Sequence, residues 1–138
     1  MKKFKNILAL IAIYGITSVG VIHATEVNSN RDLSIILSHA AAELNAKIPM
    51  LIDEETRLDY AATTRNLFIY NNTMVNYDAE QLDPVQFTIN LQEAVIAPLC
   101  DNPALKIFAE LKVTLIYRYM GKDGAFITEI SKDMGTCK

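Results

Sequence analysis

The sequence predicts an α+β fold: a two-layer sandwich in which helices cover one face of a four-stranded antiparallel sheet, with element order αββααββ. Three observations lead there. Stretches with apolar residues every three or four positions alternate with stretches in which they recur every second position. The first two helix-like stretches open on Asp or Asn and close near Pro49 and Pro98. Near the end, Gly121-Lys122-Asp123-Gly124 separates two alternating runs, a strong hairpin signature.

The chain opens on "MKKFKNILALIAIYGITSVGVIHATE". Lys2, Lys3 and Lys5 precede a nearly unbroken apolar run from Ile7 to Ile22, and Ala24 offers a small residue before Thr25. That three-part pattern reads as a secretory signal peptide over residues 1–24, leaving 25–138 as a single α+β domain. A membrane anchor is the rival, because roughly 18 apolar residues just span a bilayer. Gly15, Thr17, Ser18 and Gly20 dilute the run, and a polar segment follows at once. No cysteine follows the run to carry a lipid, so no stable membrane anchor is expected after cleavage.

The expected domain has 114 of the 138 residues, enough for a core of its own. All 16 acidic residues lie beyond position 24 and three of the 13 basic ones precede it, so the domain carries a net charge of −6. Such a surface repels phosphate backbones, and the remaining Lys and Arg are scattered singly. Nucleic acid and anionic membrane surfaces are therefore poor partners.

Element by element, "SNRDLSIILSHAAAELNAKIPM" predicts the first helix, capped by Ser29, Asn30 or Asp32 and ended by Pro49. Leu33, Ile36, Leu37, Ala40, Ala41 and Leu44 make its apolar face. "TRLDYAATT" alternates, with Leu58, Tyr60 and Ala62 on one side and Arg57, Asp59 and Ala61 on the other. "NLFIYNNTMVNY" puts Phe68, Tyr70, Asn72 and Met74 on one face, and Thr64, Arg65 and Asn66 form the turn between the two strands. "DPVQFTINLQEAVIAPLC" predicts a mostly buried second helix, capped by Asp83, with Pro84 in its first turn and Phe87, Leu91, Val95 and Leu99 inward. "DNPALKIFAELK" predicts a short third helix. "VTLIYRYMGKDGAFITEI" is the final hairpin, with Val113, Leu115, Tyr117 and Tyr119 on one face.

Cys100 and Cys137 are the only cysteines. An even count in an exported chain predicts a disulfide, here tying the helical layer to the end of the sheet. Zinc would need more ligands nearby, and a redox pair would prefer the CxxC spacing.

Asp53, Glu54, Glu55 and Asp59 are the one acidic concentration. Consecutive strand positions point to opposite faces, so only Asp53, Glu55 and Asp59 could act together, as the acid and base of a small hydrolase. The simpler expectation is a solvated lead-in to an edge strand, and a salt bridge with Arg57 or another basic residue is a separate alternative. The expected domain holds one histidine, His39, mid-helix, and no GxSxG, HExxH, glycine-rich phosphate loop or calcium-loop spacing occurs. No cofactor and no metal are expected. Asn71-Asn72-Thr73 matches a glycosylation sequon, but inside a strand. Tyr60, Phe68, Tyr70, Tyr117 and Tyr119 all fall on predicted strands. They form a candidate binding face if the sheet's open side presents them, and core or cross-strand pairs if it does not.

"IPMLIDEETRLDYA", "YNNTMVNYDAEQLDP", a cysteine about sixteen residues later and "TLIYRYMGKDGAFITEI" closing on a second cysteine resemble a group of small exported two-cysteine proteins of Gram-negative bacteria. That group carries a Pro-x-x-Asp-x-x-Thr-x-Leu segment and a Tyr-rich strand ending in Val-Asn-Tyr. The likeness spans about Ile48 to Cys137, and Pro49, Asp53, Thr56 and Leu58 depart from the spacing. The group has no established activity, so the resemblance implies export and the disulfide and carries over no catalytic residue. The sequence thus leads to a non-enzymatic periplasmic binding or accessory protein whose partner is another envelope protein or peptide. Inhibition or immunity is one form of that role, and an assembly chaperone resembling the pilotins is another.

Overall fold

A computed structural model describes residues 30–138. The expected signal peptide and Ser29 lie outside these residues. Helix α1 (Asn30–Asn45) is followed by strands β1 (Met50–Leu51), β2 (Thr56–Thr64) and β3 (Leu67–Met74). Helices α2 (Pro84–Leu91) and α3 (Lys106–Glu110) come next, linked by shorter turns, and then strands β4 (Thr114–Gly121) and β5 (Phe126–Asp133).

The α+β class holds, but the sheet has five strands rather than four and is not wholly antiparallel. Its order follows the sequence, β1 to β5, with β3 and β4 parallel and in register from Leu67–Thr114 to Met74–Gly121. The physical reason lies in the connection. A hairpin reverses the chain, whereas the segment through α2 and α3 carries it back to the end of the sheet where β3 began. β1 is the added strand, two residues paired with Leu58 and Arg57. A pair this short leaves no periodic signal in sequence.

Helix α1 buries Leu37, Ala41 and Leu44, as its spacing requires, and ends at Asn45, before Pro49. Asn45 then acts as a surrogate strand. Its amide Nδ2 donates to the Ala61 carbonyl at 2.9 Å, and its Oδ1 accepts from the Ala61 N–H at 2.7 Å. Together with β1 it closes the outer edge of β2.

Asp83 caps α2, its Oδ1 accepting from Val85 N (2.9 Å) and Gln86 N (3.2 Å), with Pro84 at the first helical position. Past Leu91 the helix widens into one π-turn over Gln92–Ile96, where Ala97 N donates to Gln92 O at 2.9 Å. Pro98 lacks an N–H and its ring crowds the carbonyl four residues back, which accounts for the widening. Leu91, Val95 and Leu99 are buried and Phe87 is half-buried. Ile89 is 48% exposed and Val85 69%, which corrects the reading of this helix as mostly buried. Asn102 opens the turn before α3 by accepting from Ala104 N at 3.0 Å.

The core lies between the helices and one face of the sheet. Phe68, Tyr70 and Met74 of β3 join Leu115, Tyr117 and Tyr119 of β4 in it. Cys100, in the turn Leu99–Asp101, is bonded to Cys137, just past the turn Met134–Thr136, with Cα atoms 5.3 Å apart. The helical layer is thus tied to the end of β5.

Candidate functional site

Four of the five aromatic residues proposed for an open binding face are in the core. Phe68, Tyr70, Tyr117 and Tyr119 are buried under the helices, which corrects that expectation. The Tyr70 and Tyr117 rings stack with centroids 4.9 Å apart, Phe68 packs on Phe108 at 5.5 Å, and Phe87 meets Tyr119 edge-on at 5.4 Å. Burial raises the pKa of all three tyrosines well above the ordinary phenol value, and the Asp53 charge adds to the effect at Tyr119. Beside them Asn72 donates to the carbonyls of Tyr70 and Arg118, both at 3.3 Å. Asn71 and Asn72 are both buried, so the sequon is closed to a glycan.

Tyr60 alone of the five reaches solvent, at 53% exposure. The alternation predicts it on the same side as Leu58, but Leu58 pairs with Asn72 and Tyr60 with the next residue, Asn71. Asp59 is therefore an extra residue in β2, and this bulge turns Tyr60 outward and Ala61 inward. A second bulge does the same in β5. Tyr119 pairs with Thr128 and Met120 with Phe126, so Ile127 is the extra residue. Phe126 then stands 57% exposed.

The carboxylates do not converge. Asp53 turns back on its own backbone, its Oδ1 accepting from Glu55 N and Thr56 N, both at 2.7 Å. It thereby holds the β1–β2 turn, so the stretch is a hairpin loop rather than the lead-in to an edge strand. Glu55 accepts from the Tyr77 hydroxyl at 2.9 Å, and that bond raises the Tyr77 pKa. Asp59 pairs with Arg57, the salt-bridge alternative rather than the solvated face, and accepts from the Thr73 hydroxyl. Each acid is thus engaged with a different structural neighbour. Among the described residues no three His, Cys, Asp or Glu side chains gather as a metal site, and His39 is exposed on α1.

The face of the sheet away from the helices carries Leu67, Ile69, Asn71 and Thr73 of β3 and Ile116, Arg118 and Met120 of β4. Arg118 is paired there with Glu129 at 2.7 Å. Among the described residues no helix covers it. Phe126 of β5, the partner of Met120, stands exposed on this same face, whereas Val85 (69% exposed) and Ile89 are exposed on α2. Sequence reasoning missed these three. Helical periodicity alone does not say how wide the buried arc of a helix is, and a bulge leaves no signature in alternation.

No model of a known protein family and no curated protein matches the chain. Solved structures do share its fold. A Pseudomonas aeruginosa protein described as secreted superimposes with a TM-score of 0.68 at 17% identity, covering 83% of this chain and all of that one. The pilotin EpsS of the Vibrio vulnificus type 2 secretion system gives 0.62 at 13% identity, over 79% of this chain and 94% of its own. The type II secretion system pilotin AspS of Vibrio cholerae gives 0.58 at 14% identity, over 78% and 94%. At these identities the likeness establishes a common fold, a mixed α+β domain found in a protein described as secreted and in secretion-system pilotins.

Proposed function

We propose that this chain is a non-enzymatic accessory protein of the bacterial periplasm, exported by its N-terminal segment, that acts by binding another envelope protein. The observation that carries the reading is the fold, which the chain shares over about four-fifths of its length with two secretion-system pilotins. The Cys100–Cys137 bond fits an oxidising compartment. The dispersal of Asp53, Glu55 and Asp59 onto separate partners argues against the small-hydrolase alternative, because a raised carboxyl pKa needs burial or a close like charge. An envelope protein is preferred over nucleic acid as partner on the chain's negative charge.

The test is chemical crosslinking in the intact native envelope, followed by capture of the tagged chain and identification of what comes with it. One or a few specific envelope proteins are expected. Capture of none, together with turnover of a cell-wall substrate by the purified chain, overturns the proposal.

A further inference from the structure

The helices cover one face of the sheet, and the other face is unusually apolar. Leu51, Tyr60 and Phe126 are the large apolar residues exposed on strands, and all three stand on it. Between them, Leu67 and Ile69 of β3 and Ile116 and Met120 of β4 are half-buried. The two central strands thus read Leu67-Phe68-Ile69-Tyr70 and Leu115-Ile116-Tyr117, apolar on both sides. That is the pattern of parallel strands covered on two faces. A continuous apolar face of this kind marks an interaction site.

Its charges are matched within the sheet. Arg57 pairs with Asp59 and Arg118 with Glu129, and the Asp133 carboxylate accepts from Gly135 N at 2.9 Å. The face therefore selects neither an acidic nor a basic partner, although the domain as a whole is acidic. A surface that is apolar at its centre and self-neutralised around it suits a copy of itself, provided that the strand registers bring no like charges together.

We infer that this face packs on the same face of a second copy, sheet against sheet, about a two-fold axis that runs along the strands between β3 and β4. Such an axis keeps the height along the strands, lays β3 over β4 of the second copy and lays β2 over its β5. The registers then fix what meets what. Ile69 falls on Ile116 of the second copy, and Ile116 on its Ile69, so branched apolar side chains meet at the centre. Glu129 falls on a tyrosine hydroxyl, that of Tyr60, and Arg57 on the Phe126 ring. Arg118 falls on Asn71 and Asp133 on Thr64, so each of these charges meets an uncharged group. Arg118 keeps its own Glu129, and neither is buried alone. An axis across the strands at Ile69 instead sets Glu129 against Asp133 twice. Strands β2 to β5 span about 19 Å by about 26 Å, so two copies cover roughly 1,000 Å² together, the lower bound of a specific interface. A weak dimer follows, half-formed on the order of 100 µM. The inference goes beyond the binding role proposed above and leaves the helical side of the molecule to that partner.

The test is sedimentation equilibrium of the chain purified from the periplasm, at concentrations from about 10 µM to about 1 mM. The average mass should rise from one copy toward two. In an equal mixture of isotope-labelled and unlabelled chain, filtered NMR should show magnetisation passing between Ile69 and Ile116 methyls of different copies. Tyr60→Ser with Phe126→Ser alters only exposed side chains and should weaken the dimer about tenfold. Ile116→Lys should abolish it, whereas Val85→Ser with Ile89→Ser, on α2, should leave it unchanged. A single-copy mass at every concentration overturns the inference, whether a dissolved paramagnetic probe reaches the Ile116 methyls or the chain's own N-terminal segment shields them. A dimer indifferent to Tyr60 and Phe126, one lost equally with the α2 substitutions, or cross-copy contacts on another surface would each overturn it too. The measurement uses the isolated protein, so its outcome is independent of whether envelope capture succeeds.

Discussion

Asn45 shows how much one side chain can decide. Its amide occupies both backbone groups of Ala61, where a neighbouring strand would otherwise be needed. Asn45→Ala leaves that N–H and C=O without partners at a half-buried edge and should cost about 1–3 kcal/mol, read from chemical denaturation. A loss below about 0.5 kcal/mol would mean that solvent serves the edge equally well. Single residues also mark where sequence reasoning stops. Phe68, Tyr70, Asn72 and Met74 lie on one face as their alternation requires, because β3 is regular. Tyr60 does not, because Asp59 enters the count as an extra residue, and nothing in the composition of β2 announces it.

At the scale of elements, caps and helix ends were legible because their chemistry is local. Asp83 with Pro84 and Asn102 with Pro103 each start a helical turn as their types demand. Pairing between distant strands was not legible. Alternation says that β3 and β4 each have an inner face, but it is the same for parallel and antiparallel neighbours, and only the path through α2 and α3 decides. The β4–β5 hairpin illustrates a close approach of elements. Gly124 takes a left-handed φ of 78° that suits glycine. Gly121 has a different task, since a Cβ there would collide with the Ala79 N–H and the Asp123 carboxylate. Gly121→Ala should therefore push the turn Ala79–Gln81 away from the hairpin and cost about 1–3 kcal/mol. A thermal melt within about 2 °C of the unsubstituted protein would contradict this tight packing.

For the whole molecule, two features set stability. The disulfide closes a loop with a sequence separation of 37, worth about 4 kcal/mol in the chain-entropy description. Reduction should lower Tm by more than about 10 °C, and an unchanged midpoint would show that the helical layer holds without the bond. The buried tyrosines add a pH dependence. Their folded pKa values lie above the unfolded value near 10, so the folded state holds its phenol protons more strongly. The stability this represents is complete below about pH 10 and is lost as pH rises toward the folded values, by up to about 1.4 kcal/mol per pH unit for each of Tyr70, Tyr117 and Tyr119. Tyrosinate absorbance should rise for these residues in one cooperative step together with loss of circular dichroism. Gradual ionisation without unfolding would place their hydroxyls in water. The overall class and the disulfide were legible because periodicity and cysteine count are global properties of a sequence. The exposure of Phe126 was not, because it arises from a bulge in the last strand.

The central claim is that this protein works through a surface, on another protein of the envelope. Its most direct test places a photo-activated crosslinking residue at Ile89, with the same residue at exposed His39 of α1 as control, in cells of the native host. The account predicts one discrete adduct with an envelope protein from position 89 and none from position 39. Adducts of the same kind from both positions, or from neither, would contradict it.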